Sequence, residues 1–122
     1  MSRDIIIISS KDDKPAALEL MEILASTYDH KCTIWTPTHF LDNEAQISSH
    51  QATICVGGPS VNSISKQYIG VCKALENDGE TFVYIGFRKA VIYGYSSKRS
   101  TKTAVKVFIE HYLAEFLEEI SD

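Results

Sequence analysis

The stretch Ala52-Thr53-Ile54-Cys55-Val56-Gly57-Gly58-Pro59-Ser60 passes from a β pattern to the start of a helix. Its first half is apolar and β-branched, which predicts a strand over residues 52–56 that is covered on both faces. The two glycines permit a sharp turn. Apolar residues then recur every three or four positions, which predicts a helix over residues 60–76. A buried strand that turns directly into a helix is typical of an α/β sheet.

Similar patterns lie on both sides of this unit. They predict strands over residues 4–9, 32–36, 81–86 and 90–94, and helices over residues 15–28, 43–49 and from Ser100 or Thr101 to the end. Only three residues separate the last two strands, too few for a parallel crossover, so these strands should form an antiparallel hairpin. The element order predicts a three-layer α/β/α sandwich of the Rossmann or flavodoxin type. Its mostly parallel sheet should have the order 2-1-3-4, with strand 5 antiparallel at the edge.

The overall composition indicates one folded domain. The chain has 122 residues, of which 44% are hydrophobic and 23% charged, so we expect a single α/β domain over residues 1–122. The early apolar run Ile5–Ile8 is too short for a membrane span or a signal peptide. We therefore expect a cytoplasmic protein without a membrane partner.

Cysteine, histidine and charge patterns argue against several classes of function. The three cysteines are far apart and form no C-x-x-C pair, and the four histidines show no metal-ligand spacing. Buried thiols in a reducing compartment explain the cysteines, and no metal site is predicted. The net charge of −4 argues against a nucleic-acid partner, because such binding depends on neutralising phosphates.

Basic residues are concentrated late in the chain. Residues 81–109 contain six Lys or Arg and no acid. We expect strand 5 to end at the sheet edge opposite Gly57, so Lys98, Arg99 and Lys102 should not share a small ligand with that turn. They are predicted to form a surface for an acidic protein partner or for the acidic face of a second subunit. The alternative is a solvated basic face with no partner.

The candidate ligand site is the crevice between strands 1 and 3. Ligands of open α/β sheets bind outside the carboxyl ends of the strands, where the winding direction reverses. Free amides at the start of the following helix would attract a phosphate or carboxylate. The predicted ligand-binding residues are Ser9, Ser10, Lys11, Gly57, Gly58, Ser60, Asn62 and Arg88. The alternative is that the glycines only permit a tight turn, with Ser60 or Asn62 capping the helix.

Two motifs resemble a known family. The segment Ile54-Cys55-Val56-Gly57-Gly58-Pro59-Ser60-Val61-Asn62, with the later Val91-Ile92-Tyr93-Gly94-Tyr95-Ser96, Thr101 and Ala104-Val105, resembles the Rossmann-like GGPxxN domain of archaeal S-layer-like proteins and related stand-alone prokaryotic domains. The resemblance covers about half of the chain. It implies an α/β domain whose GGPxxN turn is architectural, with no established catalysis. An envelope role would require a secretion signal, which the sequence does not suggest.

Three functions follow, in order of preference. The first is a non-catalytic module that binds a small anion or a nucleotide at the 57–62 turn, with no cofactor identified. The second is a structural or interaction protein that forms a homo-oligomer through an edge strand or the aromatic face of its last helix. The third is an enzyme, because residues 5–13 are similar to the first strand and loop of TIR domains. A catalytic TIR domain or deoxyribosyltransferase would carry a Glu early in the helix after strand 3, where residues 60–75 have no acid. No catalytic residue is predicted.

Overall fold

The computed structural model describes residues 4–48, 50–59, 61–69, 80–95 and 99–121. The strands of this part are β1 (Ile5–Ser9), β2 (Cys32–Trp35), β3 (Thr53–Val56), β4 (Thr81–Gly86) and β5 (Lys89–Gly94). The helices are α1 (Lys14–Tyr28), α2 (Pro37–Asn43), α3 (Ser63–Ile69), α4 (Arg99–His111) and α5 (Leu113–Ile120), with a 3-10 turn at Glu44–Gln46.

The strands form one sheet in the order β2-β1-β3-β5-β4. Strands β2, β1, β3 and β5 are parallel, and β4 pairs with β5 in the antiparallel sense. The predicted α/β sandwich, its mostly parallel sheet and its hairpin are therefore confirmed. The predicted order 2-1-3-4 with strand 5 at the edge is wrong in one respect, because the two strands of the hairpin exchange places.

Burial and packing explain why β5, and not β4, lies beside β3. Residues 90–93 of β5 are buried, whereas β4 is partly exposed along its length. At Gly94 a Cβ atom would lie 2.3 Å from the Ser100 carbonyl group, so only glycine lets the start of α4 approach β5 this closely. The covered, helix-contacting strand therefore occupies the interior of the sheet.

Helices cover both faces of the sheet. One hydrophobic cluster joins β-strand residues such as Ile7 and Ile54 to α1, α4 and α5, with Leu20 and Phe108 fully buried. The other joins the opposite strand faces to α2 and α3 through Phe40 and Ile64. This alternation makes both faces of the central strands apolar, as the continuous apolar runs predict.

The helix boundaries differ from the prediction in two places. The second helix begins at Pro37 rather than near residue 43, because the Thr36 hydroxyl accepts a hydrogen bond from His39 N at 3.1 Å and caps it. The predicted single terminal helix is divided at Tyr112 into α4 and α5. Of the helix predicted over residues 60–76, only residues 63–69 are described as helix, and the later part lies outside the described residues.

The aromatic residues of the last two helices belong largely to the core. Phe108 and Phe116 are buried, with ring centroids 6.0 Å apart, whereas Tyr112 is exposed. The described helices include none that combines the length and the apolar character needed to cross a bilayer.

Candidate functional site

A polar cavity of about 460 Å³ lies where β1, β2 and β3 end. The loops after β1 and β2 form two of its walls, and the segment that leads into α3 forms the third. This position is the crevice beside the point at which the winding of the sheet reverses, as predicted. The cavity is lined by Ser10, Lys11, Thr36, Pro37, Thr38, Pro59, Val61, Asn62, Ser63 and Lys66. We refer to it below as the crevice.

The lining of the crevice is basic and rich in hydroxyl groups. Lys11 and Lys66 are both exposed and bring two positive charges to it. None of the described residues that line it is acidic. Hydroxyl groups from both walls can donate hydrogen bonds to an anion beside the lysines. The electrostatic character of the crevice therefore favours a negatively charged ligand.

Asn62 lies at the back of the crevice and is almost completely buried. Its side-chain NH₂ group donates to Ile8 O at 3.0 Å and to Val56 O at 3.4 Å, so it joins the ends of β1 and β3. Its Oδ1 atom accepts from Ile64 N at 3.1 Å and from Ser65 N at 3.3 Å. Asn62 is thus the helix cap that the alternative interpretation of the glycine turn predicted.

Several backbone groups among the described residues of the turn also have partners within the protein. Gly57 N donates to Ile92 O at 2.8 Å, and Asn62 N donates to Gly58 O at 2.9 Å. The Ser65 hydroxyl donates to Gly57 O at 2.7 Å. The amides of Ile64 and Ser65 are bonded to Asn62 Oδ1, so these two groups are not free to bind an anion. Ser60 lies outside the described residues, so an anion held by backbone amides at the turn stays a prediction.

Gly57 is required by its backbone conformation and by its neighbour Asp13. Its φ angle is 118°, and a Cβ atom there would lie 2.6 Å from the Asp13 carboxylate. Asp13 is completely buried, and its Oδ2 atom accepts a hydrogen bond from the Ser10 hydroxyl at 3.2 Å. Asp13 occupies the N-cap position of α1, although its side chain makes no capping bond. The carboxylate therefore packs against the glycine turn and orients the loop after β1.

The structure separates the eight predicted ligand residues into four groups. Ser10, Lys11 and Asn62 line the crevice. Ser9, Gly57 and Gly58 lie at the same edge of the sheet but not in the lining, and the Ser9 hydroxyl donates to Ser10 O at 2.9 Å. Ser60 lies outside the described residues. Arg88 is elsewhere.

Arg88 lies at the opposite edge of the sheet, so the prediction that it adds charge beside Gly57 is wrong. Because β5 runs parallel to β3, the hairpin turn lies beside the amino ends of the parallel strands. Arg88 adopts a left-handed conformation with φ 55° and is buried. Its guanidinium donates to Ile120 O at 3.1 Å, and its backbone N donates to Glu119 Oε1 at 3.2 Å. These hydrogen bonds connect the hairpin turn to the end of α5.

The same reversal moves the basic segment after β5. Since β5 is parallel to β3, its carboxyl end lies at the edge that carries Gly57, and the predicted placement at the opposite edge is wrong. Arg99 and Lys102 are exposed in the first turn of α4. Lys98 lies outside the described residues. A surface for an acidic partner stays a prediction for this segment.

Four polar residues of the crevice, Thr36, Thr38, Ser63 and Lys66, were not among the predicted ligand residues. Thr36 and Thr38 follow β2, whose carboxyl end meets the same edge as β1, so the rule used for Ser10 applies to them as well. Lys66 lies four residues after Asn62, so both residues are on the same face of the helix and both line the crevice. The ends of the strands and the helical spacing could therefore have predicted these residues from the sequence.

A second cavity, of about 320 Å³, lies beneath α2 and α3 toward the other edge of the sheet. In its wall the Tyr68 hydroxyl lies 3.0 Å from Thr53 Oγ1, and the Lys89 ammonium lies 4.6 Å from the centre of the Tyr68 ring. Burial raises the pKa of Tyr68 to about 12. The Tyr68 hydroxyl is therefore neutral at neutral pH and is paired with Thr53.

The described thiols are shielded rather than activated. Burial raises the pKa of Cys55 to about 12 and that of the half-buried Cys32 to about 11, the latter with a contribution from the Asp4 carboxylate. Both thiols are therefore protonated at neutral pH, which is the opposite of a nucleophilic cysteine. Within the described ranges, no three His, Cys, Asp or Glu side chains come together as metal ligands.

Comparison of the chain with family models, with curated proteins and with solved structures gave no match.

Proposed function

We propose that this chain is a non-catalytic binding module that holds a small anionic ligand in the crevice. The observation that carries the proposal is the position of Lys11 and Lys66 on a polar cavity whose described lining contains no acidic residue. Two ammonium groups on a described lining that contains no acidic residue favour an anion through direct attraction and charge-assisted hydrogen bonds.

The size of the crevice limits the ligand. A volume of about 460 Å³ is within the range of small-molecule sites and suits a compact metabolite. The described lining contains hydroxyl groups and prolines but no aromatic ring on which a base would stack. A phosphorylated sugar or a small carboxylic acid therefore fits its chemistry better than the nucleobase of a nucleotide.

A binding role agrees better with the residues than a catalytic role. Nucleophilic and general-base catalysis need an activated side chain at the site. The Asp13 carboxylate, which accepts a hydrogen bond from the lining residue Ser10, is buried and packed against Gly57. The described part of α3 also carries no acid, so the acid that TIR-like or deoxyribosyltransferase-like chemistry would use is missing from residues 63–69.

Titration by NMR tests the proposal. Inorganic phosphate, ribose 5-phosphate and citrate are added separately to the isotope-labelled chain, and amide shifts are followed. We expect saturable shifts of Ser10, Lys11, Thr38 and Ser63. The double variant Lys11→Gln/Lys66→Gln should weaken binding roughly tenfold or more, because two charge-assisted contacts are lost.

The matched control is Lys31→Gln. Lys31 is exposed and precedes β2, away from the crevice, so this variant removes the same charge without touching the site. It should bind as the unaltered chain does. An unchanged affinity in the double variant, or no saturable shift with any of the three ligands, would contradict the proposed function.

A further inference from the structure

Strand β4 forms one edge of the sheet, and among the described residues no strand pairs with its outer side. It spans six residues, Thr81–Gly86, without a charge or a proline. Tyr84 and Ile85 are each 37% exposed, and the following Phe87 is 66% exposed. Soluble proteins protect such edges with charge, proline or short length, because a free edge offers unpaired backbone groups to another strand.

The other edge of the sheet is protected in these ways. Strand β2 has only four residues, Cys32–Trp35. It follows the exposed Lys31 and ends before Pro37, which begins α2. Among the described residues, β4 is therefore the longer of the two edge strands and has more exposed apolar side chains than a short strand would present.

The hairpin register defines which backbone groups of β4 point outward. Tyr95 N donates to Glu80 O at 3.2 Å, and Phe82 is opposite Tyr93. Hydrogen-bonded positions alternate in an antiparallel pair, so the even-numbered residues of β4 turn their N–H and C=O groups toward β5. Thr81, Val83 and Ile85 therefore turn theirs toward the free edge.

We propose that two copies of this chain pair through β4, antiparallel and about a two-fold axis at Val83. In this register Val83 of one copy faces Val83 of the second, and Thr81 faces Ile85 in both directions. All three outward-facing residues of each strand then exchange both of their backbone hydrogen bonds. The two five-stranded sheets become one continuous sheet.

Side chains support the same pairing. On the face that carries α2 and α3, Phe82 of one copy lies opposite Tyr84 of the other, and the two-fold axis generates this aromatic pair twice. On the opposite face two valines meet at the axis. A partner with the same apolar and aromatic strand is therefore complementary at every paired position.

Charge also favours an identical, antiparallel partner. Residues 81–87 carry no charge, so two copies meet there without repulsion although each has a net charge of −4. Glu80 directly precedes the strand. In the antiparallel register it lies opposite the uncharged Gly86 of the second copy, whereas in-register parallel pairing would bring the two Glu80 carboxylates together.

Sedimentation of the full-length chain over a concentration series tests this inference, with Ile85→Lys and Thr33→Lys as matched variants. Each introduces one lysine into an edge strand, on β4 and β2 respectively. We expect a monomer–dimer equilibrium for the unaltered chain and for Thr33→Lys, and at least tenfold weaker association for Ile85→Lys. Circular dichroism verifies that each variant is folded.

Hydrogen exchange of the unaltered chain gives a second measurement that does not depend on a variant. The amides of Val83 and Ile85 should become more protected as protein concentration rises, while those of β2 should not change. A chain that stays monomeric at about 0.5 mM, equal dimerisation of Ile85→Lys, or growth into species larger than the closed dimer would each overturn the inference. Loss of ligand binding in the crevice would leave it intact, because the two surfaces share no residue.

Discussion

The turn after β3 and the loops after β1 and β2 border the same crevice but use their polar groups in opposite ways. In the turn, Asn62 directs its side-chain hydrogen-bonding atoms into the protein. In the loops and on α3, Lys11, Thr38 and Lys66 leave theirs exposed. Polar residues at the carboxyl edge of an α/β sheet are therefore not equivalent. The buried ones stabilise the fold, and the exposed ones are available to a ligand.

The largest difference in the free energy of unfolding should be between alanine substitutions at two neighbouring residues, Asn62 and Ser63. Asn62→Ala removes four buried hydrogen bonds and leaves two strand carbonyls and two helix amides without that partner. We expect it to lower the free energy of unfolding by about 3–5 kcal/mol. Ser63→Ala, on the exposed side of the same turn, should change it by less than about 0.5 kcal/mol. Urea denaturation measures both, and equal losses would show that the buried and exposed groups do not differ.

Gly57→Ala should have the next largest effect and lower the free energy of unfolding by about 2–4 kcal/mol. The added methyl group would contact the Asp13 carboxylate, and the backbone φ of 118° is unfavourable for alanine. A double-mutant cycle with Asp13→Ala separates these causes. If the contact with the carboxylate contributes, the paired substitution costs less than the sum of the two single ones. Strict additivity would assign the whole effect to backbone strain.

The buried Cys55 makes stability fall at high pH. Its pKa rises from the usual 9.0 to about 12 in the folded chain, mainly through burial. The folded state therefore holds this proton more tightly than the unfolded state, and the associated stability is complete below pH 9 and is lost as pH rises toward 12. We expect a loss on the order of 1–3 kcal/mol between pH 9 and 11. Urea denaturation at several pH values measures this loss. The free energy of unfolding should fall less steeply with pH in Cys55→Ala, and an identical dependence on pH would exclude Cys55 as the cause.

The smallest effect on stability belongs to the crevice lysines. Lys11→Gln and Lys66→Gln alter exposed side chains outside the buried network. Each should change the free energy of unfolding by less than about 0.5 kcal/mol, while the pair weakens anion binding as described above. Thermal melts at low and moderate salt measure this, and a large destabilisation would place these lysines with the structural residues.

The sequence predicted local structure better than the arrangement of strands. Short apolar runs and the three-residue connection identified β1, β3 and the hairpin, because strand pattern and loop length act locally. Which hairpin strand lies against β3 depends on packing with α4. The informative signal was the small residue Gly94, where the Ser100 carbonyl approaches the backbone. Because this contact was not inferred from the sequence, the two hairpin strands were predicted in the wrong order. The predicted positions of Arg88 and of the basic segment were wrong for the same reason.

The crevice lies at the predicted edge of the sheet, whereas the binding chemistry predicted for it stays a prediction. Position follows from topology, which placed Ser10 and Lys11 correctly. The role of Asn62 depends on which way its amide points, and spacing alone does not determine that direction. Thr36 and Thr38 line the crevice because α2 starts at Pro37, six residues before the predicted start at residue 43.

The Asn62 amide ties the ends of β1 and β3 together at the base of the crevice. Under the proposed binding function, a ligand would contact a base that the fold already holds in place, so binding would need no rearrangement of the sheet and little ordering cost. Exposed positions such as Thr38 and Ser63 could then vary without disturbing that base. Substitutions at these exposed positions would change selectivity for small molecules while other residues maintain the fold.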